Sequence, residues 1–390
     1  MEIKKFTLAL MVVAGAFSSC KKDNSTEPET TLRTKIDYAK ITADIKYDNT
    51  NMLFVDASGK STVDLTNGNN RYKMFQAINA YAGTGTTVAL DANVLKNMFS
   101  NTGTPFTGTY ASLNGTTVQL RNVVASTLSA TEKATVLAKF DADFTNMANA
   151  SLSFAATASN GVAGKLGTRL VDAKGLEVAQ IIQKGLIGAL QIDYISNVLL
   201  NTGLSADNKT VVAGKNYTQL EQNWDEAYGL LTINPNYLAG STDAVRGTTE
   251  FALGSYLWEY GQPASNANFN YTKVLGAFLK GRAAIANNDL TEVKAQALII
   301  RTTIEQSIAR AAIGYLTKYG TRTTDADRAH DIGEGGGFIY SLRFCKMNGA
   351  DAAFSDGVLT GLLGANGNFW EITPAKIATA TAAIKAKFNI

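Results

Sequence analysis

The 390-residue chain contains a single histidine, His330. One imidazole excludes sites that need two or three histidines from one chain, such as those of the HExxH zinc peptidases. Nucleophilic hydrolases are also disfavoured, because the chain has no Gly-x-Ser-x-Gly elbow and shows no arrangement of base and orienting group for Cys345. The protein therefore acts with His330 alone or without histidine chemistry, and we assign no catalytic residue.

Proline and excess charge are also scarce. None of the five prolines falls inside a strongly periodic segment, which favours long helices. The formal net charge is +3 at pH 7 and no basic stripe is present, so nucleic acid is not an expected partner. Beyond the N-terminus, no apolar run reaches membrane-spanning length.

The N-terminus is typical of an exported protein. A short charged stretch precedes an apolar run over residues 6–17, which is too short to span a bilayer. The run ends in Phe17-Ser18-Ser19-Cys20, which resembles the lipobox of bacterial lipoproteins, where cleavage leaves a lipid-bearing cysteine. We therefore predict a signal peptide over residues 1–19, a lipidated Cys20 and a polar tether over 20–34. The lysines after Cys20 do not suggest inner-membrane retention, so the predicted anchor is outer-membrane lipid, with the domain periplasmic or at the cell surface.

A lipidated Cys20 leaves Cys345 as the other cysteine, so no internal disulfide can form and a hydrophobic core must stabilise the fold. Residues 35–390 are long enough for one large domain or two smaller units. We predict a single helical domain over 35–390, and the pattern is compatible with sub-units over 35–240 and 241–390.

Hydrophobic periodicity predicts a mainly α fold, a helical bundle with an irregular N-terminal region. Residues 38–63 show short alternating stretches that fit either strands or extended loop. Capping-box patterns start helices after Ser129 and Thr218, and Thr373-Pro374 starts the last one. Apolar stripes predict long buried helices over 174–200 and 290–319. Shorter helices are predicted over 71–81, 91–99, 251–260 and 271–286, and loops over 101–117 and 151–167.

His330 and Glu334 are four residues apart, so on a helix both side chains project from one face. Histidine and carboxylate together suit iron, zinc or manganese. Further ligands would have to be carboxylates, and Asp331, Asp225 and Glu226 are the candidates. The favoured alternative is a structural polar network in which Glu334 holds His330 by a hydrogen bond.

Three glycines, Gly335 to Gly337, follow Glu334. In a helix interior each glycine costs about 1 kcal/mol relative to alanine, so something must offset that cost. Either another helix packs closely against this backbone, which we favour, or the segment is a turn that a ligand approaches. A phosphate-binding loop is excluded, because no Gly-Lys-Ser/Thr follows and no strand precedes.

A second polar and aromatic cluster comprises Trp224, Asp225, Glu226 and Tyr228. Asp225 and Glu226 are adjacent and point about 100° apart on a helix, so they do not form a catalytic carboxylate pair by themselves. They are expected to be solvated or to pair with Arg282 or Arg301. Arg282 lies in an otherwise apolar helix, where an arginine is more often a structural partner than a ligand clamp.

Two segments echo each other weakly. Each long apolar helix, over 174–200 and 290–319, precedes a glutamate that is followed by a glycine three residues later. The first pair is Glu226 and Gly229, and the second is Glu334 and Gly337. A duplicated helical unit would produce this pattern, but helices resemble one another easily.

The motifs together resemble those of the lipoproteins called domain of unknown function 4856, over about residues 35–388. Five segments carry the resemblance in the right order: 175–193, 214–218, 224–229, 277–285 and 330–342. The usual pattern after the histidine is Ala-Leu-Ser-Glu-Ala-Tyr-Gly-Phe; this chain keeps His330, Glu334, Gly337 and Phe338 and differs between them. The family is more distantly similar to the imelysin proteins, which are paired helical bundles with a His-and-Glu motif in a cleft. The resemblance implies a role in iron or metal acquisition beside imelysin-like proteins and outer-membrane receptors.

Three functions follow as hypotheses. The first is a non-enzymatic accessory lipoprotein that binds iron, another metal or a nutrient during uptake, with His330, Glu334 and Glu226 lining its cleft. The second is an imelysin-type metal-dependent peptidase. The third is a scaffold of a receptor complex, in which the motifs only pack the bundle.

Overall fold

The computed structural model of the chain describes residues 32–42, 44–235, 250–261 and 270–390. These residues are mainly α-helical, which confirms the predicted fold class. The α-helices are α1 (Thr66–Thr84), α2 (Ala92–Ser100), α3 (Leu120–Val123), α4 (Ala130–Ser151), α5 (Val178–Leu186), α6 (Gln219–Leu231), α7 (Leu253–Tyr260), α8 (Tyr271–Ala286), α9 (Leu290–Thr321), α10 (Asp325–Ser341), α11 (Ala352–Leu363) and α12 (Pro374–Phe388). A π-helix, Ile187–Leu199, continues α5, and an antiparallel ribbon of β1 (Gly164–Leu166) and β2 (Arg169–Val171) precedes it, with Gly164 opposite Val171.

Side-chain caps set several helix starts where the sequence predicted them. Ser129 and Thr218 each form a complete capping box, and Thr373 caps α12 ahead of Pro374. Asp289 accepts a hydrogen bond from the Glu292 N–H at the start of α9. Each cap satisfies an N–H that has no partner inside its helix and stabilises the helix by about 1 kcal/mol.

The long helix predicted from residue 174 starts later and changes its winding. Asp172 accepts hydrogen bonds from the N–H groups of Lys174 and Leu176, and Gly175 has a φ of +77°. Glycine adopts that left-handed conformation without strain, so the chain turns here and α5 begins at Val178. From Ile187 the helix has π winding, which hydrophobic periodicity alone does not distinguish from α winding.

Other elements add to or differ from the prediction. Helix α1 starts at Thr66 rather than residue 71, and α10, which starts at Asp325, places His330 inside a helix. Helix α11 was not predicted. In the predicted irregular region, residues 38–63 contain a 3₁₀ turn, Tyr38–Lys40, and an isolated bridge between Val55 and Ser61, which supports the extended-loop alternative.

Helix α9 occupies the centre of the bundle, with α8 and α10 packed along it and α7 and α12 against its sides. Its predicted stripe is buried, including Val293, Ile300, Ile304 and Ile308. Helix α10 packs in turn against α5, while α1 packs against α6. These two helix pairs position the candidate functional residues that the structure describes, apart from Arg282, which lies on α8.

Residues from Leu32 to Ile390 belong to one compact unit. Arg33, assigned to the tether by the sequence, is instead 7% exposed and bonded to Glu221, so the fold starts before residue 35. The predicted signal peptide and Cys20 lie outside the described residues. Within the described part of the chain, no helix combines the length and the apolarity needed to cross a membrane.

Candidate functional site

Helix α10 and the start of α5 enclose the single histidine. His330 Nδ1 lies 2.7 Å from Oε2 of Glu177, and its Nε2 lies 3.3 Å from Oε1 of Glu334. The contact with Glu334 follows from the i, i+4 spacing and was predicted. Glu177 precedes the first residue of α5 and was not predicted. The imidazole therefore contacts a carboxylate with each of its two nitrogens.

The chain of contacts continues to a buried lysine. Lys184 Nζ lies 3.2 Å from Oε1 of Glu334, and the hydroxyl of Tyr256 donates to Oε2 of Glu334 at 3.1 Å. Burial by itself would raise the pKa of Glu334, but the Lys184 charge and a hydrogen bond from Tyr315 outweigh burial and lower it. Burial lowers the pKa of the Lys184 ammonium, and Glu334 opposes that shift only in part. We call Glu177, Lys184, Tyr256, His330 and Glu334 the His330 cluster.

The geometry of this cluster does not suit the metal site that the sequence suggested. Metal ligands direct their lone pairs at one point. Here the two imidazole nitrogens point at different carboxylates, and Glu334 already faces the Lys184 ammonium. Within the described ranges, no group of three or more histidine, cysteine, aspartate or glutamate side chains is arranged to hold a metal ion.

The glycines of α10 allow two neighbouring helices to approach its backbone. A Cβ at Gly337 would lie 2.5 Å from Cβ of Lys184, and one at Gly333 would lie 3.2 Å from Cβ of Glu177. A Cβ at Gly335 would lie 3.5 Å from Cβ of Tyr315 on α9. Close helix packing, the alternative that we favoured for this run, is thus confirmed at Gly337.

Asp225 lies in a different and fully buried network. Arg282 Nε lies 3.0 Å from Oδ1 of Asp225, and its Nη1 lies 2.9 Å from Oε1 of Glu221. The Arg282 Nη2 also donates to the hydroxyl and carbonyl of Thr62. Arg33 donates two hydrogen bonds to Glu221. We call these five residues the Arg282 network, and it confirms that Arg282 is a structural partner of a carboxylate.

Burial and ion pairing compete in the Arg282 network. Burial raises the pKa of Asp225 to about 6, although the Arg282 charge lowers it in part. For Glu221, burial is outweighed by Arg282 and by the hydrogen bond from Arg33, so its pKa falls to about 2. The network joins the irregular N-terminal region to α6 and α8. Its role is therefore to hold that region against these two helices.

Glu226 faces a third direction, as expected for the residue after Asp225. Its Oε1 accepts a hydrogen bond from Arg71 Nε on α1 at 2.9 Å. Arg71 also donates to the carbonyl of Gln119 and lies over the ring of Tyr194. Asp225 and Glu226 therefore have different partners from His330 and Glu334. Asp331 pairs with Arg322, so the five proposed ligands do not form one set.

The aromatic residues of the second motif pack the core. Trp224 Nε1 donates to the Phe278 carbonyl at 2.9 Å, and both Trp224 and Tyr228 make edge contacts with the Phe278 ring. A Cβ at Gly281 would lie 2.0 Å from the Trp224 ring, so this position of α8 requires glycine. The motif is therefore a packing unit.

A cleft of about 500 Å³ opens between α4, α5, α10 and α11, and no residue of the His330 cluster lines it. Three residues of α10 line it at four-residue spacing, Ile332, Gly336 and Tyr340. No pattern in the sequence predicted this cleft, because its walls come from segments that are distant along the chain.

The structure thus defines a helical protein whose glutamates and glycines lie together at two helix crossings. A sequence model described as Domain of unknown function (DUF4856) matches residues 51–390, and the chain belongs to that family. Comparison with curated proteins and with solved structures gives no match.

Proposed function

We propose that this protein is a non-enzymatic accessory lipoprotein of the outer membrane that binds a nutrient during uptake. The observation that supports this role most directly is the pairing of the motif carboxylates. Glu334 faces Lys184, Glu226 faces Arg71 and Asp225 faces Arg282.

This pairing supports binding rather than catalysis because general bases, nucleophiles and metal ligands must present an available lone pair. The motif carboxylates instead face cations of neighbouring helices, of which Lys184 and Arg282 are buried and Arg71 is largely buried. Removing either partner of such a pair leaves an uncompensated buried charge, so these groups are suited to holding the bundle together. In this proposal the bundle presents a fixed binding surface.

The anchor in this proposal is the lipid on Cys20, and its support is the lipobox-like sequence at residues 17–20. The resemblance to imelysin-like proteins supports a place beside them or beside an outer-membrane receptor. Because the His330 cluster does not suit a metal ion, the chain would assist iron or nutrient uptake without chelating the metal itself.

The anchor is tested by growing cells with an alkyne-labelled fatty acid and separating their membranes. We expect the wild-type chain to be labelled and to fractionate with the outer membrane. The Cys20→Ala chain should be unlabelled and should not rescue uptake in a strain that lacks the gene. Labelling that persists in Cys20→Ala would contradict lipidation at this residue.

The non-chelating role is tested on the Cys20→Ala chain by elemental analysis and by thermal shift with iron and zinc. We expect no stoichiometric metal and no shift that depends on His330. Stoichiometric iron or zinc that is lost in His330→Gln would overturn this part of the proposal. Peptide hydrolysis that is lost in the same variant would overturn the non-enzymatic assignment.

A further inference from the structure

Two glycines in the run on α10, Gly335 and Gly336, are not explained by close packing, because an added Cβ at either would make only ordinary contacts. A Cβ at Gly336 would meet only Cδ2 of Leu359, at 4.0 Å, which is ordinary contact, whereas a Cβ at Gly337 would collide with Lys184. A helix-interior glycine costs about 1 kcal/mol relative to alanine, so its presence at 336 needs another reason. Gly336 lines the cleft of about 500 Å³, where the absence of a side chain leaves room for a ligand.

The walls of this cleft are mostly aliphatic. They belong to α5, α10, α11 and the turn before α5, and include Leu176, Val178, Ile181, Ile332, Leu359 and Leu363. Small-molecule sites have volumes of roughly 300–1,000 Å³ and combine apolar walls with a few polar groups. The cleft is therefore of the right size and character for a ligand with an apolar body.

One buried polar group in the cleft lacks a partner. Tyr340 is 4% exposed, and its hydroxyl makes no hydrogen bond to any described residue. Its ring is fixed in place, with Lys139 Nζ 4.4 Å and the Arg343 guanidinium 3.8 Å from the ring centroid. Buried hydroxyls are usually hydrogen-bonded, so an unpartnered one beside a cleft is available to an acceptor group of a ligand.

The other polar groups of the cleft indicate which kind of ligand group it could bind. Asp172 already accepts hydrogen bonds from two backbone N–H groups and from Asn146, and Asp143 pairs with Lys139. The two carboxylates of the cleft thus already have donor partners. Lys174 lines the cleft and makes no ion pair with a described residue. The Tyr340 hydroxyl and the Lys174 ammonium can both donate a hydrogen bond to a ligand.

We infer that this cleft binds an aliphatic monocarboxylate, with the chain against the apolar walls beside Gly336 and the carboxylate near Tyr340 and Lys174. A carboxylate accepts hydrogen bonds at both oxygens and complements the ammonium charge. This assignment deepens the binding role proposed above and rests on it, since it names the ligand class of that role.

The test is calorimetric titration of the full chain carrying Cys20→Ala with dodecanoate, below its micellar concentration, and with dodecanol as the uncharged comparison. We expect saturable binding of one dodecanoate and at least tenfold weaker binding of dodecanol. Equal affinity for the two ligands, or no binding of dodecanoate, would overturn the carboxylate assignment.

One variant and its matched control test whether the ligand binds in this cleft. Gly336→Leu should fill the cleft and reduce dodecanoate affinity at least thirtyfold, while thermal stability is retained because leucine favours the helix. The matched control is Gly361→Leu on α11, where an added Cβ would meet no atom within 4 Å and which does not line this cleft. The control should bind as the unsubstituted chain does. Unchanged affinity in a folded Gly336→Leu protein would show that the ligand lies elsewhere and overturn the inference.

Tyr340→Phe tests the hydroxyl separately. Because this hydroxyl has no protein partner, its removal should leave thermal stability equal or higher while reducing dodecanoate affinity about tenfold, the loss expected for one hydrogen bond to a charged acceptor. Unchanged affinity would remove Tyr340 from the site. Failure of these binding tests in a chain that is still labelled at Cys20 and still rescues uptake would overturn the ligand assignment alone. Loss of labelling and of rescue would refute the accessory-lipoprotein role instead.

Discussion

Two helix crossings in this protein use the same device. At one, Glu226 and Gly229 of α6 face α1; at the other, Glu334 and Gly337 of α10 face α5. In both, the glycine lets two backbones approach, and the glutamate one turn earlier meets a cation from the opposite helix. The weak sequence echo thus corresponds to equivalent local packing at the two crossings.

The crossings differ in what surrounds them. The α6 crossing uses Arg71, which is also bonded to a backbone carbonyl, and the same helix carries Glu221 and Asp225 into the Arg282 network. The α10 crossing uses Lys184 and His330 and borders a cleft at Gly336. Similar packing therefore has different surroundings. At the α6 crossing it adjoins the network that holds the N-terminal region, and at the α10 crossing it adjoins the wall of a cleft.

The largest effect is expected from Arg282→Met, which breaks the network at the first crossing. It leaves Glu221 and Asp225 buried without their shared cation, and removal of one partner from such a network costs about 3–5 kcal/mol. Urea unfolding should show this loss. Hydrogen exchange should rise most in the N-terminal residues held by the network, including Arg33 and Thr62.

The control for that loss is Arg328→Met, which removes an exposed pair with Asp325. Exposed pairs contribute about 0–1 kcal/mol, so stability should hardly change. Equal losses in the two variants would mean that burial of the Arg282 network contributes nothing, and the contrast between the two crossings would lose its basis.

The next effect compares the glutamates of the two crossings. Glu334→Gln leaves Lys184 buried without its counter-charge and should cost about 3 kcal/mol at pH 7. Glu226→Gln should cost about 1–2 kcal/mol, because Arg71 keeps its bond to Gln119 and is partly exposed. Denaturant unfolding of both variants measures the difference.

The pH dependence of stability tests the contribution of the Glu334–Lys184 pair in a second way. The pKa of Glu334 is lowered in the folded chain, so its contribution is present above the usual glutamate pKa and is lost as pH falls through the folded value. The gap between wild type and Glu334→Gln should therefore close on acidification below about pH 4.5. A gap that stays constant would indicate a packing effect of the substitution rather than loss of charge.

These contrasts show what the sequence could predict and why. Predictions from local sequence patterns were confirmed. Helical spacing predicted the contact between His330 and Glu334, and the capping boxes predicted where two helices start. An arginine within an apolar helix also predicted a buried carboxylate partner for Arg282. Each of these predictions depends on one helix or on charge that must be neutralised on burial.

The failures are long-range pairings. Lys184 and Arg71 were not identified as partners, because no spacing rule says that α5 will pack on α10 or α1 on α6. Asp225 and Glu226 were grouped by adjacency, although adjacent helical residues point in different directions and so meet different neighbours. Gly68 precedes the predicted start of α1 at residue 71, but α1 includes it, and the crossing with α6 leaves no room for a Cβ there.

A smaller effect is expected from alanine at the crossing glycines. A Cβ at Gly337 would lie 2.5 Å from Cβ of Lys184, and one at Gly68 would lie 2.5 Å from the carbonyl oxygen of Glu226. Overpacking of this kind should cost about 2 kcal/mol in each variant. Gly336→Ala is the matched control and should be stabilising by up to about 1 kcal/mol, since its Cβ has room. A lower melting temperature for Gly336→Ala than for Gly337→Ala would contradict the assignment of Gly337 to helix packing and of Gly336 to the cleft wall.

The smallest effect concerns Glu305, a buried carboxylate that belongs to neither crossing. It accepts hydrogen bonds from the N–H groups of Met347 and Asn348, and burial outweighs those bonds and the Arg301 charge to raise its pKa to about 7. A raised carboxyl pKa stabilises the fold below the unfolded value near 4.5 and loses that contribution as pH rises through 7.

Glu305→Gln, which mimics the protonated form, should match wild type near pH 4.5 and exceed its stability by about 1–2 kcal/mol at pH 8. The measurement is the free energy of unfolding of both proteins across that range. Glu334→Gln should show the opposite trend, since its effect grows as pH rises from acid. Parallel curves for Glu305→Gln and wild type would mean that Glu305 is held by its hydrogen bonds as firmly as Glu334 is held by its cation. A cation from the facing helix would then not be what distinguishes the glutamates of the two crossings from Glu305.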